Sequence, residues 1–152
     1  MHLDWQIKPY SELSLNEFHD IIALRLKAFV VEQSCIYQDL DGKDKKCYHL
    51  LCRDGKGKIV GTARILHPGI SYPEVSIGRV VIDESIRGKG VGHELIQKCT
   101  TFIKDEFGDV SISISAQKHL ETFYEQHDFK SVGNEYLEDG IPHLEMKYTG
   151  KN

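Results

Sequence analysis

The sequence predicts an α/β (α+β) fold in which a mixed central sheet is flanked by helices. Three observations carry this. Stretches following Ser14 and Gly90 place apolar residues at helical spacing. Runs rich in Val, Ile and Leu are joined by Asp-Gly turns, so they read as hairpins and as antiparallel pairs. The strand–helix–strand unit from Val75 to Ser115 implies a parallel pair in the same sheet.

Taken in order, Leu3 to Lys8 is a short strand stopped by Pro9. Ser14 to Glu17 forms a capping box, in which Ser14 accepts from an early helix N–H and Glu17 reaches back. Phe18, Ile21, Ile22, Arg25 and Phe29 then follow at helical spacing toward Gln33. Asp39 to Asp44 is a polar turn. Cys47–Arg53 and Lys58–Leu66 form a hairpin across Asp54-Gly-Lys-Gly57. His67 to Glu74 holds two prolines and a glycine and reads as a loop. Val75 to Asp83 is a long strand whose interior Gly78 marks a bulge or a close backbone approach. Gly90 to Phe107 carries one apolar stripe, Val91, Leu95, Ile96, Cys99, Phe102, Ile103 and Phe107, and Gly108 caps it. Val110–Ser115 is a strand and Lys118–His127 a short helix. Phe129–Tyr136 and His143–Tyr148 are closing strands.

A chain of 152 residues predicts a single domain, over residues 1–150. Such a chain buries roughly 68–70% of its unfolded surface, enough for one ordinary core. Hydrophobic residues at 40% and charged residues at 28% exclude a disordered or collagen-like chain. No apolar run approaches the ~18 residues of a transmembrane helix, so no membrane partner is expected. The start, MHLDWQIKPY, lacks a basic segment followed by an apolar one, so a cytoplasmic location is expected. The net charge of −4 argues against a nucleic-acid partner, whose phosphates call for a basic excess. Among Cys35, Cys47, Cys52 and Cys99, the tightest group with His49 is Cys47 and Cys52. Strand alternation points Cys47 and His49 to one side and Cys52 to the other, so no metal site is expected.

The chemistry concentrates in Arg87-Gly-Lys-Gly-Val-Gly92, between a long strand and the strongest helix. Its glycines let a bulky anion approach the backbone, and the free N–H groups of the helix start point at that anion. Arg87 and Lys89 add two cations. The pattern fails a P-loop, because Gly92 is followed by His93-Glu94, and it fails the G-x-G-x-x-G dinucleotide fingerprint.

This stretch resembles the Q/R-x-x-G-x-G/A motif of the GNAT acetyltransferase superfamily. Val110 to Phe129, with Phe123-Tyr124, resembles the elements that follow it there. Arg25, Phe29-Val-Val-Glu-Gln33, Cys35, Tyr37, Leu40-Asp-Gly42, Asp44 and His49 resemble the ElaA-like branch. Ile36 and Asp128 depart from it, standing where proline and glycine are common.

The resemblance implies a GNAT-like acyl-CoA N-acyltransferase fold and acetyl transfer from acetyl-CoA, as co-substrate, to a small-molecule or peptide amine. It implies that Arg87, Gly88, Lys89, Gly90, Val91, Gly92 and His93 hold the pyrophosphate. It also implies that Val80, Val81 and Ile82 pair with the pantetheine arm, in an opening between that strand and the Val110 strand. Tyr124 is the expected proton donor to the leaving thiolate. A lysine-like amine is neutral in only about one molecule in 2,500 at pH 7, so a base is useful. His143, in Gly140-Ile-Pro-His143, and His49 are the candidates, while Glu32 and Arg79 are candidates for the acceptor side. A non-catalytic CoA-binding sensor is the alternative, and a homodimer is left open.

Overall fold

The computed structural model describes residues 1–149; the expected domain's last residue, Gly150, lies outside them. Among the described residues, eight strands form one mixed sheet: β1 (Asp4–Pro9), β2 (Cys47–Arg53), β3 (Ile59–Leu66), β4 (Val75–Ile82), β5 (Ile112–Gln117), β6 (Lys130–Ser131), β7 (Tyr136–Glu138) and β8 (Ile141–Tyr148). The order is β1-β2-β3-β4-β5-β8-β6, with β7 also on β8. Only the β4–β5 pair is parallel among the described strands, as the intervening helix requires.

Three α-helices among the described residues cover the sheet: α1 (Leu15–Leu26), α2 (Val91–Phe107) and α3 (Glu121–Glu125). The capping box at Ser14 and Glu17 is formed in both directions. Ile21 and Leu24 of α1, with Ala28, pack on Leu51, Ile59 and Val81 at one sheet face. On the other face, Val91, Leu95, Ile96, Cys99 and Ile103 of α2 meet Leu50, Val60, Ala63 and Ile65. Alternation along β2 therefore turns His49 toward α1 and Cys52 toward α2.

The first helix runs toward Gln33 as its spacing predicts, but its α-form stops at Leu26 and Lys27–Glu32 is a π-helical turn. Such turns re-aim side chains, and here Phe29 reaches the cleft described below. Lys118–His127 is a 3₁₀ turn followed by α3. The expected Phe129–Tyr136 strand is not continuous. It divides into β6 and β7, with left-handed Gly133 between them.

Asp39–Asp44 is more than a polar turn. Arg25, in the helical stripe, is 1% exposed; its Nη1 donates to Asp44 Oδ1 at 2.7 Å and its Nε to Asp39 Oδ2 at 2.9 Å. Arg64 of β3 joins Asp44 to Asp41. A buried charge is tolerable only when paired in this way.

Candidate active site

Strand β4 joins β5 at Val75–Ile112 and Ser76–Ser113, and then the two strands part. The parting begins at a bulge. Thr62 and Arg64 of β3 oppose Val81 and Gly78, so β4 carries an extra residue. The sequence marks this bulge by Gly78, yet the residue that takes the left-handed conformation is Arg79, with φ 50°. The result is a cleft enclosing about 710 Å³, solvent-open space included. Its walls are Ile77–Val80 of β4 and Ile114–Gln117 of β5, and Tyr124 and His143 also line it.

The β4 backbone along the cleft has free capacity. Asp83 N–H donates to Val60 C=O at 2.8 Å. By alternation Val81 also faces β3, so the Val80 and Ile82 amides face the opening. Ile82 C=O is taken by Arg87 Nε at 2.8 Å.

The glycine turn leads into α2 at the same end of β4. Gly88 and Gly90 both have φ +79°, a conformation that costs an L side chain roughly 1–2 kcal/mol. Gly90 is the N-cap and no side chain caps the helix there. The first intrahelical bond is Glu94 N–H to Gly90 C=O at 3.2 Å, which leaves the amides of Val91, Gly92 and His93 without intrahelical partners. A Cβ on Gly92 would touch the Phe123 ring at 3.5 Å. This turn fits a diphosphate: open backbone, free donors, and exposed Lys89 and Arg87 beside it.

Several expected site residues lie elsewhere or are already engaged. His49 is not brought to the cleft. It is fully buried on the α1 face, with Nε2 2.8 Å from Asp44 C=O and its ring against Phe18 and Tyr10. Burial lowers its pKa, against the pull of Asp44. Arg79 lines the cleft, but its guanidinium lies 2.8 Å from Asp39 Oδ1 and reaches Asp41. Glu32 meets Arg87, Oε1 to Nη2 at 2.8 Å, so an expected acceptor-side residue and an expected cofactor-side residue form one ion pair. The Val91 side chain is buried in the core and leaves only its amide to the turn.

Tyr124 is 7% exposed, its ring edge-on to Phe123 and Phe129. Burial pushes its hydroxyl well above the ordinary tyrosine range, so it keeps its proton at neutral pH. His143, on β8 opposite Gln117, lines the same cleft and stacks on Tyr136. Two neighbours had no signal in the sequence. His127 lies with Nε2 2.8 Å from His93 Nδ1 and packs on Phe123. Burial first, and His93 second, lower its pKa. Glu138 of β7 reaches Ser115 and His143. The His127 contact depends on α2 meeting the turn after α3, and those of Glu138 on which strands become neighbours.

Comparison with known proteins shows the family and the fold. Residues 8–150 match the family model described as Acetyltransferase (GNAT) domain. Protein ElaA of Escherichia coli is 38% identical over 145 residues, 95% of each chain. Its crystal structure superimposes with a TM-score of 0.90 over 97% of this chain and 99% of that one. An acyl-CoA N-acyltransferase from Pseudomonas aeruginosa gives 0.92 at 37% identity, over 97% and 100%. The chain belongs to the GNAT acetyltransferase family, in its ElaA-like branch, and has the acyl-CoA N-acyltransferase fold.

Proposed function

We propose that this GNAT-family chain is a single-domain N-acetyltransferase that moves the acetyl group of acetyl-CoA to an amine. The observation that carries this reading is the continuity of two features along β4: the left-handed glycine turn at one end and the parted β4–β5 backbone beside Tyr124 and His143.

The amides of Gly88 to His93, with Lys89 and Arg87, would hold the diphosphate, and Arg87 exchanges Glu32 for it. The Val80 and Ile82 amides would pair with the amide-bearing arm. The same strand supplies an N–H to the carbonyl oxygen as negative charge develops there. The coenzyme contributes a thioester whose acyl carbon accepts the amine. His143 removes a proton from the incoming ammonium. Tyr124 gives its proton to the departing thiolate and regains one as the amide nitrogen loses its own. The balance is one acetylamide, one thiol and one proton released.

His143 is the better base of the two histidines because it lines the cleft while His49 is sealed behind the sheet. The reaction is tested by thiol release from acetyl-CoA across a panel of amines. Turnover is expected, and so is stabilisation of about 2.7 kcal/mol at acetyl-CoA 100 times its Kd. Stabilisation without turnover on any amine would mean a sensor; neither would remove the reading.

No described helix is long and apolar enough to cross a membrane, and a cytoplasmic place fits a substrate of this kind.

A further inference from the structure

Beside His143 the cleft holds an arrangement suited to a cation. His143 Nδ1 lies 2.7 Å from Ile141 C=O. A carbonyl only accepts, so Nδ1 carries the hydrogen and the neutral ring leaves its lone pair on Nε2. That lone pair faces Glu138 Oε2 at 3.6 Å. Two acceptors face each other at ion-pair distance, which is favourable only with a proton or a cation between them.

The surrounding charges sharpen this. Arg79, the cation lining the cleft, is taken by Asp39 and Asp41. Glu138 has Ser115 Oγ on its other oxygen at 3.2 Å, which aims the carboxylate. The next residue, Asp139, lines the cleft too, and its carboxylate enters no ion pair with the described residues. Among the described residues, His143 is therefore the one basic group in ion-pair reach of these two carboxylates, and Lys43, which shares the adjoining pocket with them, donates to Ser71 Oγ instead.

The geometry points to Glu138 as the group that receives the acceptor as an ammonium ion beside His143 Nε2, and so to an acceptor class: a primary alkylamine with no carboxylate next to the nitrogen. This deepens the transferase reading and rests on it. The ammonium N–H bonds to Glu138, one proton passes from nitrogen to Nε2, and the freed lone pair attacks the thioester carbon. The resulting imidazolium keeps its Nδ1 bond to Ile141 and gains Glu138 as counter-ion, until it returns the proton to solvent. An α-amino acid would bring its carboxylate against Glu138 and Asp139, where like charges repel. The groups facing the His143 ring are Glu138 and Tyr136 from β7 and Gln117 from β5; Tyr124, Asp139 and Arg79 line the cleft beyond. Of these, Glu138 is the carboxylate in ion-pair reach.

The experiment compares wild type with Glu138→Gln on butylamine, pentane-1,5-diamine and alanine, with acetyl-CoA as donor. The two amines are expected to exceed alanine in kcat/KM by about tenfold or more. Glu138→Gln should raise the amine KM about tenfold while the acetyl-CoA KM stays put. A preference for alanine, or an unchanged amine KM, overturns the assignment. A second measurement needs no turnover: calorimetric binding of butylamine to wild type and to Glu138→Gln. Binding is expected to weaken about tenfold in Glu138→Gln, and equal affinity overturns the assignment. Failure of the transferase reading looks different, as acetyl-CoA would then neither bind nor release thiol with any amine.

Discussion

Strand β4 has two unlike sides. Toward β3 it is laddered along its length and backed by an ion network in which Arg25, Arg64, Asp39 and Asp44 are buried and Asp41 stands at the rim. Toward β5 the ladder ends after two pairs, and the polar side chains there, Ser115, Glu138 and His143, reach an open cleft. The residue types are similar on both sides, histidine, carboxylate and hydroxyl. Solvent access separates their roles. On the closed side every charge must be met by protein, so those groups are committed to structure. On the open side a carboxylate at 47% exposure keeps access to solvent and can receive a ligand. Arg79 sits at the junction: its left-handed backbone makes the opening, while its guanidinium is tied back to the closed side.

The largest effect should come from the closed side. Asp44→Ala leaves Arg25 and Arg64 short of a partner, and a loss of about 3–5 kcal/mol in urea unfolding is expected. Glu138→Gln removes the same charge from the open side and should change stability by no more than about 0.5 kcal/mol. Equal losses in the two would erase the distinction. Tyr124→Phe tests the open side by rate: kcat should drop about a hundredfold while acetyl-CoA affinity holds. An undiminished kcat would return Tyr124 to the role of a core aromatic.

A smaller effect follows from Gly90→Ala, which forces a side chain into φ +79°. It should cost about 1–2 kcal/mol of stability and weaken acetyl-CoA binding, read by calorimetry. Smallest and most graded is the response to acid. The folded pKa of His49 lies below its ordinary 6.5, so the folded state binds fewer protons there. Its contribution is present above pH 6.5 and fades as pH falls below it. Glu17 acts lower on the scale. Burial pushes it up, but the Ser14 amide, Lys8 and Arg53 outweigh that and hold it at about 2. Its contribution is present above pH 4.5 and is lost toward pH 2. His49→Phe should flatten the first limb of a thermal-melt series and leave the second, whereas an unaltered first limb would show that His49 titrates no differently on folding.

The sequence alone determined what depends on near neighbours. Helical periodicity placed α1 and α2, Asp-Gly turns placed the hairpins, and the glycine pattern placed the start of α2, because a cap or a turn is settled within a few residues. It also marked Gly78 as a point of irregularity, though the strained conformation fell to Arg79. Register and layering were settled only by the tertiary structure. They joined Arg25 to Asp44 across 19 residues and His93 to His127 across 34. They also put His49 behind the sheet and His143 in the cleft, two histidines that the sequence could not rank as bases. What a titratable group does is decided by its solvent access and its partners, and both come from strands that are distant along the chain.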